Sequence, residues 1–285
     1  MGAWLKTDTE CPERDAWLMP GYNEINSEET YMTRIIMHGA NGRMGKVITD
    51  LVTGDPNAEI VAGVDIAPGD APYPIYTSLS DVKEEADVIV DFSSSKIVDQ
   101  MLETAVEKNL PVVLCTTGLS EDQLANVRKK SQQIPILKSG NMSLGINTLT
   151  GLLKTATKVF GDAGFDVEIV ERHHNQKLDA PSGTAIMLAD AINEAADGRY
   201  EYVYDRSQVR QKRDKKELGI SAVRGGTIPG THEIIFAGPD EVIELRHVAY
   251  SRSIFGNGAI SAAKYLAGRE PGLYDMNDVI AAMQR

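Results

Sequence analysis

Cysteine is nearly missing from this 285-residue sequence: Cys11 and Cys115 are the only 2. A pair so far apart gives neither a disulfide framework nor a cysteine zinc spacing, and it fits a reducing cytoplasm. Basic residues are in deficit, with 29 Lys and Arg against 41 Asp and Glu, for a net charge of −12. That sign repels phosphate backbones and anionic headgroups, so a general nucleic-acid or membrane-surface binder is excluded. No apolar run approaches the roughly 18–20 residues of a membrane span. The N-terminus lacks the basic and apolar regions of a secretory leader. The histidines also lack metal spacing: His173 and His174 are neighbours that project differently, and His38, His232 and His247 are scattered. No metal is expected. What is left is 42% hydrophobic and 25% charged, ordinary for a soluble globular protein, and the chain reads as soluble, cytoplasmic and enzyme-sized, with one large or two ordinary domains.

Residues 1–31 are polar and aperiodic, with Trp4, Trp17, Pro12 and Pro20 among acidic residues. We read them as a dispensable extension; the alternative is an arm packing on a neighbour through its tryptophans. Order begins at Met32–His38, a short apolar run that ends in Gly39-Ala40-Asn41-Gly42-Arg43-Met44-Gly45. A helix follows with Met44, Val47, Ile48 and Leu51 on one face, then a strand over Glu59–Asp65. Strand, glycine turn, helix and a strand ending in an acid make a dinucleotide-binding unit. The glycines allow close approach of the pyrophosphate, and Asp65 suits the ribose hydroxyls. A 2′-phosphate needs a cation, yet no Lys or Arg occurs between Lys46 and Lys83, and Asp65 is followed by Ile66-Ala-Pro. NADH is therefore the expected cofactor, in preference to NADPH.

The alternation continues with strands over Asp87–Phe92, Pro111–Cys115 and Pro135–Lys138. They end in Ser93-Ser-Ser95, Thr116-Thr117-Gly118 and Ser139-Gly140-Asn141-Met142-Ser143. Ligands of open parallel sheets bind beyond such carboxyl ends. Cys115, on that rim without a basic partner in sequence, reads as a buried rim residue and not a nucleophile.

From Gly145 the texture changes. An amphipathic helix carries Ile146, Leu149, Leu153, Ala156 and Phe160, and Asp166–Glu171 alternates like a strand. The polar run 198–218 reads as a mobile loop or crossover, and two alternating stretches around Gly238-Pro-Asp read as a hairpin. A last helix spans about Ala259–Ala267, with Ala262 and Leu266 docking back on the first domain. The fold class is α/β: a Rossmann-like domain with a parallel sheet, plus an α+β domain with an open mixed sheet whose free face pairs subunits.

Chemistry concentrates in Glu171-Arg-His173-His174-Asn-Gln-Lys177-Leu-Asp-Ala-Pro-Ser182-Gly183-Thr184. Two imidazoles titrate near neutral pH. A helix capped by Ser182 or Thr184 opens just after, and helix starts suit carboxylates and phosphates. Arg224 and Arg252, beside glycine and serine turns, are candidates to clamp carboxylates. The residues describe a nicotinamide-dependent reductase of a small anionic substrate, with His or Lys delivering a proton.

The same segments carry a resemblance. Gly39–Gly45, Val90-Asp-Phe-Ser93, Thr116–Gly118, Gly140–Gly145, the 171–184 stretch and Phe255-Gly-Asn-Gly258 resemble the 4-hydroxy-tetrahydrodipicolinate reductase (dihydrodipicolinate reductase) family over residues 32–285. The resemblance implies a dinucleotide domain of 32–142 plus 253–285, a substrate and tetramerisation domain of 143–252, and a homotetramer in the cytoplasm. It implies a dicarboxylate substrate reduced at C4 with NADH or NADPH in the diaminopimelate route to lysine, without metal. His173 matches the family's acid, and Lys177 its second proton donor and carboxylate partner. His174, Ser182, Gly183, Thr184 and Arg252 would hold substrate. Gly39, Ala40, Asn41, Gly42, Arg43, Met44, Asp65, Cys115, Thr116, Thr117, Ser139, Gly140, Asn141 and Met142 would hold the dinucleotide. Cys115 stands where the family often has Gly, Met142 where it has an aromatic, and Ile66 where members using both cofactors have Arg. Two rival readings are another dinucleotide-domain enzyme, such as an amino-acid dehydrogenase, and a non-catalytic NADH-sensing module.

Overall fold

The computed structural model describes residues 31–284. Cys11, both tryptophans and the expected dispensable extension thus lie outside the described residues, save Tyr31 at its end. The chain opens with β1 (Thr33–His38), whose apolar run is buried on both faces, as a central parallel strand requires. It is followed by α1 (Arg43–Thr53), β2 (Ala58–Val64), β3 (Ile75–Tyr76), β4 (Val88–Asp91) and α2 (Val98–Glu107). Then come β5 (Val112–Leu114), α3 (Glu121–Lys130) and β6 (Pro135–Lys138). With β12 (Gly272–Tyr274) these strands form a 7-stranded parallel sheet, in the order β12-β6-β5-β4-β1-β2-β3.

The intervening chain builds a second sheet. After the long α4 (Leu144–Asp162) come β7 (Asp166–His173), α5 (Gly183–Ala195), β8 (Glu201–Val203), β9 (Glu217–Arg224), β10 (Gly230–Ala237) and β11 (Val242–Ala249). The 5 strands lie in the order β11-β10-β7-β9-β8 and are mixed: β10 is antiparallel to both its neighbours, whereas β7, β9 and β8 run parallel. The expected hairpin is the β10–β11 pair. The chain then returns through α6 (Ser253–Leu266), β12 and α7 (Met276–Met283).

Three apolar clusters hold these layers. One lies between the parallel sheet and α1, α6 and α7, with Ile35, Met37, Ile48, Ala262 and Leu266. The second lies on the sheet's other face under α2 and α3, with Ile36, Ile89, Leu102 and Val127. The third joins the mixed sheet to α4 and α5 through Leu153, Ile169, Leu188, Ile234 and Phe236. Each fully buried Val, Leu, Ile, Met or Phe side chain among them stabilises the fold by about 1.5–3 kcal/mol. Among the described residues no helix is long and apolar enough to cross a membrane.

Two expectations need correction. The run 198–218 is a crossover and not a mobile loop: it supplies edge strand β8 and crosses to the parallel β9, and Arg206 and Arg213 pin it to Glu168 at 2.7 and 2.8 Å. Arg206, Arg213 and Lys215 have carboxylate partners on the neighbouring strands, which a composition reading does not see. The last long helix begins at Ser253, six residues before the expected Ala259. Phe255-Gly-Asn-Gly258 looks like a turn but is helical, because its glycines permit close contacts. A Cβ on Gly258 would stand 1.6 Å from the Met142 carbonyl oxygen, and one on Gly256 2.6 Å from Leu51 Cδ1.

Candidate active site

The carboxyl ends of β1, β4 and β5 are tied together beneath a crevice. Asp91, the fully buried last residue of β4, accepts from the Thr116 hydroxyl at 2.6 Å, the Ser93 hydroxyl at 2.5 Å and His38 Nδ1 at 2.7 Å. Above it, Gly39 adopts φ +87°, where a side chain is strained, and its Cβ would lie 2.6 Å from the Phe92 carbonyl oxygen. Gly45 faces the Ala40 carbonyl oxygen across a hypothetical 2.3 Å, so the turn and α1 pack without room for a methyl group. The N-cap of α1 is Gly42, whose missing side chain leaves the first-turn N–H groups to a ligand. Asp65 accepts from Asn41 N–H at 2.8 Å and Ile66 N–H at 2.8 Å, which fixes its carboxylate at the mouth. The resulting cavity of about 380 Å³ is lined by Gly39, Asn41, Gly42, Asp65, Ile66 and Ser93 among others, with no Lys or Arg in its lining. A dinucleotide fits this donor set: backbone N–H groups for phosphate and a carboxylate for hydroxyls.

The remaining expected cofactor residues divide into two groups. Thr117, Gly140 and Asn141 line the second, larger cleft, whereas Thr116 is buried with its hydroxyl on Asp91. Arg43 is exposed at the start of α1, Met44 packs against the core, and Ala40 is buried. Ser139 is half-buried after β6. The Met142 side chain sits in the core with Ile260 and Met276 and not on the crevice, since its backbone packs against Gly258. The Cys115 thiol is pushed well up by burial and by Asp91, so it is no nucleophile at neutral pH.

The larger cleft, about 1040 Å³, lies at the end of β7 and the start of α5. Strand alternation puts Glu171 and His173 on one face. Glu171 is fully buried and receives four hydrogen bonds: Arg224 Nη1 at 2.8 Å, Arg224 Nη2 at 2.7 Å, His173 Nδ1 at 2.6 Å and Ser182 N–H at 3.0 Å. Burial opposes its ionisation, but Arg224, His173 and Ser182 outweigh burial and hold the carboxyl below its usual range. A carboxylate only accepts, so His173 carries a proton on Nδ1 and keeps Nε2 for the cleft. His173 itself is shifted down, by burial foremost, with Glu171 acting in the opposite sense. Gly230 lets the ring in: a Cβ there would meet His173 Nε2 at 3.1 Å. Arg224, expected as a substrate clamp, is instead committed to Glu171.

Ser182 is the N-cap of α5. Its hydroxyl accepts from Ala185 N–H at 3.1 Å and lies 2.9 Å from His232 Nε2. The His232 ring meets His173 edge-on, with centroids 5.2 Å apart. Burial, then proximity to His173, pushes His232 down to about 4, and burial lowers His247. Glu171, His232 and His247 form one cross-strand row over β7, β10 and β11. Lys177 Nζ lies 2.8 Å from Asp179 Oδ1, and Gly183 N–H donates to Asp179 Oδ2 at 3.3 Å. His174 is exposed, with Nδ1 accepting from Gln176 N–H at 3.2 Å. Thr184 Oγ1 accepts from Asn141 Nδ2 at 3.1 Å, which links the β6 loop to the start of α5. Arg252, exposed at the N-cap of α6, lines the cleft and makes no ion pair among the described residues. Sequence reasoning missed Glu171 as the histidine clamp and His232 and His247 as neighbours. The two-residue spacing of Glu171 and His173 on a strand was the available signal.

Among the described residues no group of three His, Cys, Asp or Glu side chains is placed to hold a metal ion. Family models of the dihydrodipicolinate reductase N-terminus and C-terminus match residues 33–142 and 145–280. The chain belongs to the dihydrodipicolinate reductase family. A relative named 4-hydroxy-tetrahydrodipicolinate reductase, from Caldanaerobacter subterraneus subsp. tengcongensis, is 53% identical over 87% of this chain and 98% of its own. Another of that name, from Clostridium novyi, is 44% identical over 87% and 98%. Among solved structures, a dipicolinate-bound dihydrodipicolinate reductase from Paenisporosarcina sp. TG-14 shares the fold. Its TM-score is 0.73 at 24% identity, covering 86% of this chain and 99% of that one. Both of this reductase family's sequence models therefore fall on the sheets described above.

Proposed function

We propose that the protein reduces 4-hydroxy-tetrahydrodipicolinate to tetrahydrodipicolinate in the diaminopimelate route to lysine, working in the cytoplasm. The observation that carries this reading is the Glu171-clamped His173, set with Lys177, Arg252 and the α5 start in one cleft that continues to Thr117 and Asn141 of the cofactor side. A nicotinamide held by these residues would supply the hydride. His173, with Nδ1 on Glu171, would deliver the proton from Nε2 on the cleft side, and Glu171 stabilises the imidazolium form. Lys177 serves as second donor and carboxylate partner once it leaves Asp179. His174, Arg252 and the Ser182–Thr184 helix start hold the two carboxylates. Ser182 acts through its place at the cap, since its hydroxyl and N–H are both engaged.

NADH is the proposed preference: the adenosine-side cavity offers Asp65 and an exposed Ile66, and no Lys or Arg lines it to offset a 2′-phosphate. Residues 32–142 with 253–285 form the proposed dinucleotide domain, supported by α6 packing on the parallel sheet, and 143–252 the substrate domain. A homotetramer formed through the outer face of the mixed sheet completes the reading; Val223 and Val242 are exposed there.

The test follows NADH and NADPH absorbance while a synthase generates the substrate from pyruvate and aspartate semialdehyde. Expected are faster oxidation of NADH than of NADPH, and a loss of about a hundredfold or more in kcat for His173→Ala and Lys177→Ala. Tight NADH binding without turnover of this substrate would sink the reductase reading.

A further inference from the structure

We propose that His38 contacts the cofactor directly, its Nε2 accepting a hydrogen bond from the adenosine half of the dinucleotide. The inference rests on the dinucleotide part of the reading above and is independent of the substrate. His38 ends β1 and is only 5% exposed. It lines the crevice with Gly39, Gly42 and Asp65, and also a side cavity of about 130 Å³ that runs on toward Gln100 and Thr104.

Its protonation geometry is set from behind. Nδ1 lies 2.7 Å from Asp91 Oδ1, and the fully buried Asp91 takes the Thr116 and Ser93 hydroxyls as well. A carboxylate has no proton to give, so Nδ1 is the donor, and in the tautomer this selects Nε2 is the acceptor. Nε2 has no partner among the described residues. The surrounding wall is mostly apolar, with Val64, Ile66, Phe92 and Ile97. A fixed acceptor on an apolar wall selects a ligand that brings a donor. Phosphate oxygens are acceptors and are disfavoured there. The adenosine half brings ribose hydroxyls and the adenine 6-amino group. With the pyrophosphate on the Gly39–Gly42 turn and a hydroxyl on Asp65, His38 stands beside that half and not beside the nicotinamide.

The experiment is calorimetry with ADP-ribose, which carries the adenosine half and no nicotinamide, on wild type, His38→Asn and His38→Gln. Asparagine keeps an amide donor for Asp91 but has no atom at the Nε2 position; glutamine restores an acceptor near it. The expected result is ADP-ribose binding about tenfold weaker in His38→Asn, the size of one neutral hydrogen bond, with recovery in His38→Gln. Binding of reduced nicotinamide mononucleotide should be the same in all three. Repeating the series with the hypoxanthine analogue identifies the donor: loss of the wild-type advantage assigns the 6-amino group, and its persistence assigns a ribose hydroxyl. Wild-type affinity for ADP-ribose in His38→Asn, with only a lowered Tm, would overturn the proposal. So would equal weakening of both ligands, which marks a collapsed crevice. Absence of ADP-ribose binding by wild type would instead remove the dinucleotide reading itself.

Discussion

At the scale of single residues, Glu171 is the hinge of the site's electrostatics. It raises the proton affinity of His173, against a larger burial effect that lowers it. If protonated His173 is needed in the free enzyme, kcat/KM falls as pH rises through a histidine value below the ordinary 6.5. Glu171→Gln removes the favourable carboxylate, so the same limb should move to still lower pH, and kcat/KM at pH 7 should drop by about tenfold or more. An unmoved limb in the pH–rate profile would remove Glu171 from the proton chemistry. His232 yields a stability prediction of definite sign. Its folded-state value is depressed from 6.5 to about 4, so the unfolded chain binds the extra proton. Its stabilisation is full above pH 6.5 and is lost as pH falls through that window toward 4, by on the order of 3 kcal/mol. Chemical denaturation from pH 7.5 to 4.5 should show the decline, and His232→Gln should flatten it.

At the scale of elements, legibility follows locality. The strand, glycine turn and helix of 33–53 could be read because every requirement lies within consecutive residues: apolar run, glycines, one-face periodicity. The cap of α5 was legible for the same reason. The row Glu171–His232–His247 was not, because strand register brings together residues 61 and 15 positions apart. Strand β12, at three residues, is too short to show a period of two. The early start of α6 was hidden because glycine signals a turn as readily as a close approach. That helix supplies its own test. Gly258→Ala must push α6 off the Met142 carbonyl, at a cost of about 1–3 kcal/mol, and it should lower Tm while leaving the pH–rate profile in place.

At the scale of the whole molecule, the mixed sheet is covered on one face by α4 and α5, and among the described residues no helix covers the other. Val167, Ile169, Ile234 and Phe236 point into the cluster under α4 and α5. The alternate residues include the exposed Val223 and Val242. That face is mixed, with the Arg172–Glu233 ion pair beside these valines, and a carboxylate in place of an exposed valine there would add an unpaired charge to any contact it makes. If the proposed tetramer forms through this face, Val242→Asp should shift the protein toward smaller species in light scattering. An unchanged mass would move the interface elsewhere. The sequence showed that such a face exists, from alternation alone, but it could not show which side α4 and α5 would take.

One corner of the larger cleft has a wider consequence. Asp179 rests on Lys177 and on the Gly183 N–H. If substrate carboxylates bind at Lys177 and Arg252 as proposed, one arriving at Lys177 swaps one anion for another, as on an ion-exchange resin, and its net gain is small. Selectivity then passes to whatever the ligand places at Arg252, where no internal carboxylate competes among the described residues. A monoanion gains only from the exchange, whereas a molecule with two carboxylates at the right span also gains an uncontested pairing. The cleft thus measures the distance between charges more than it measures charge.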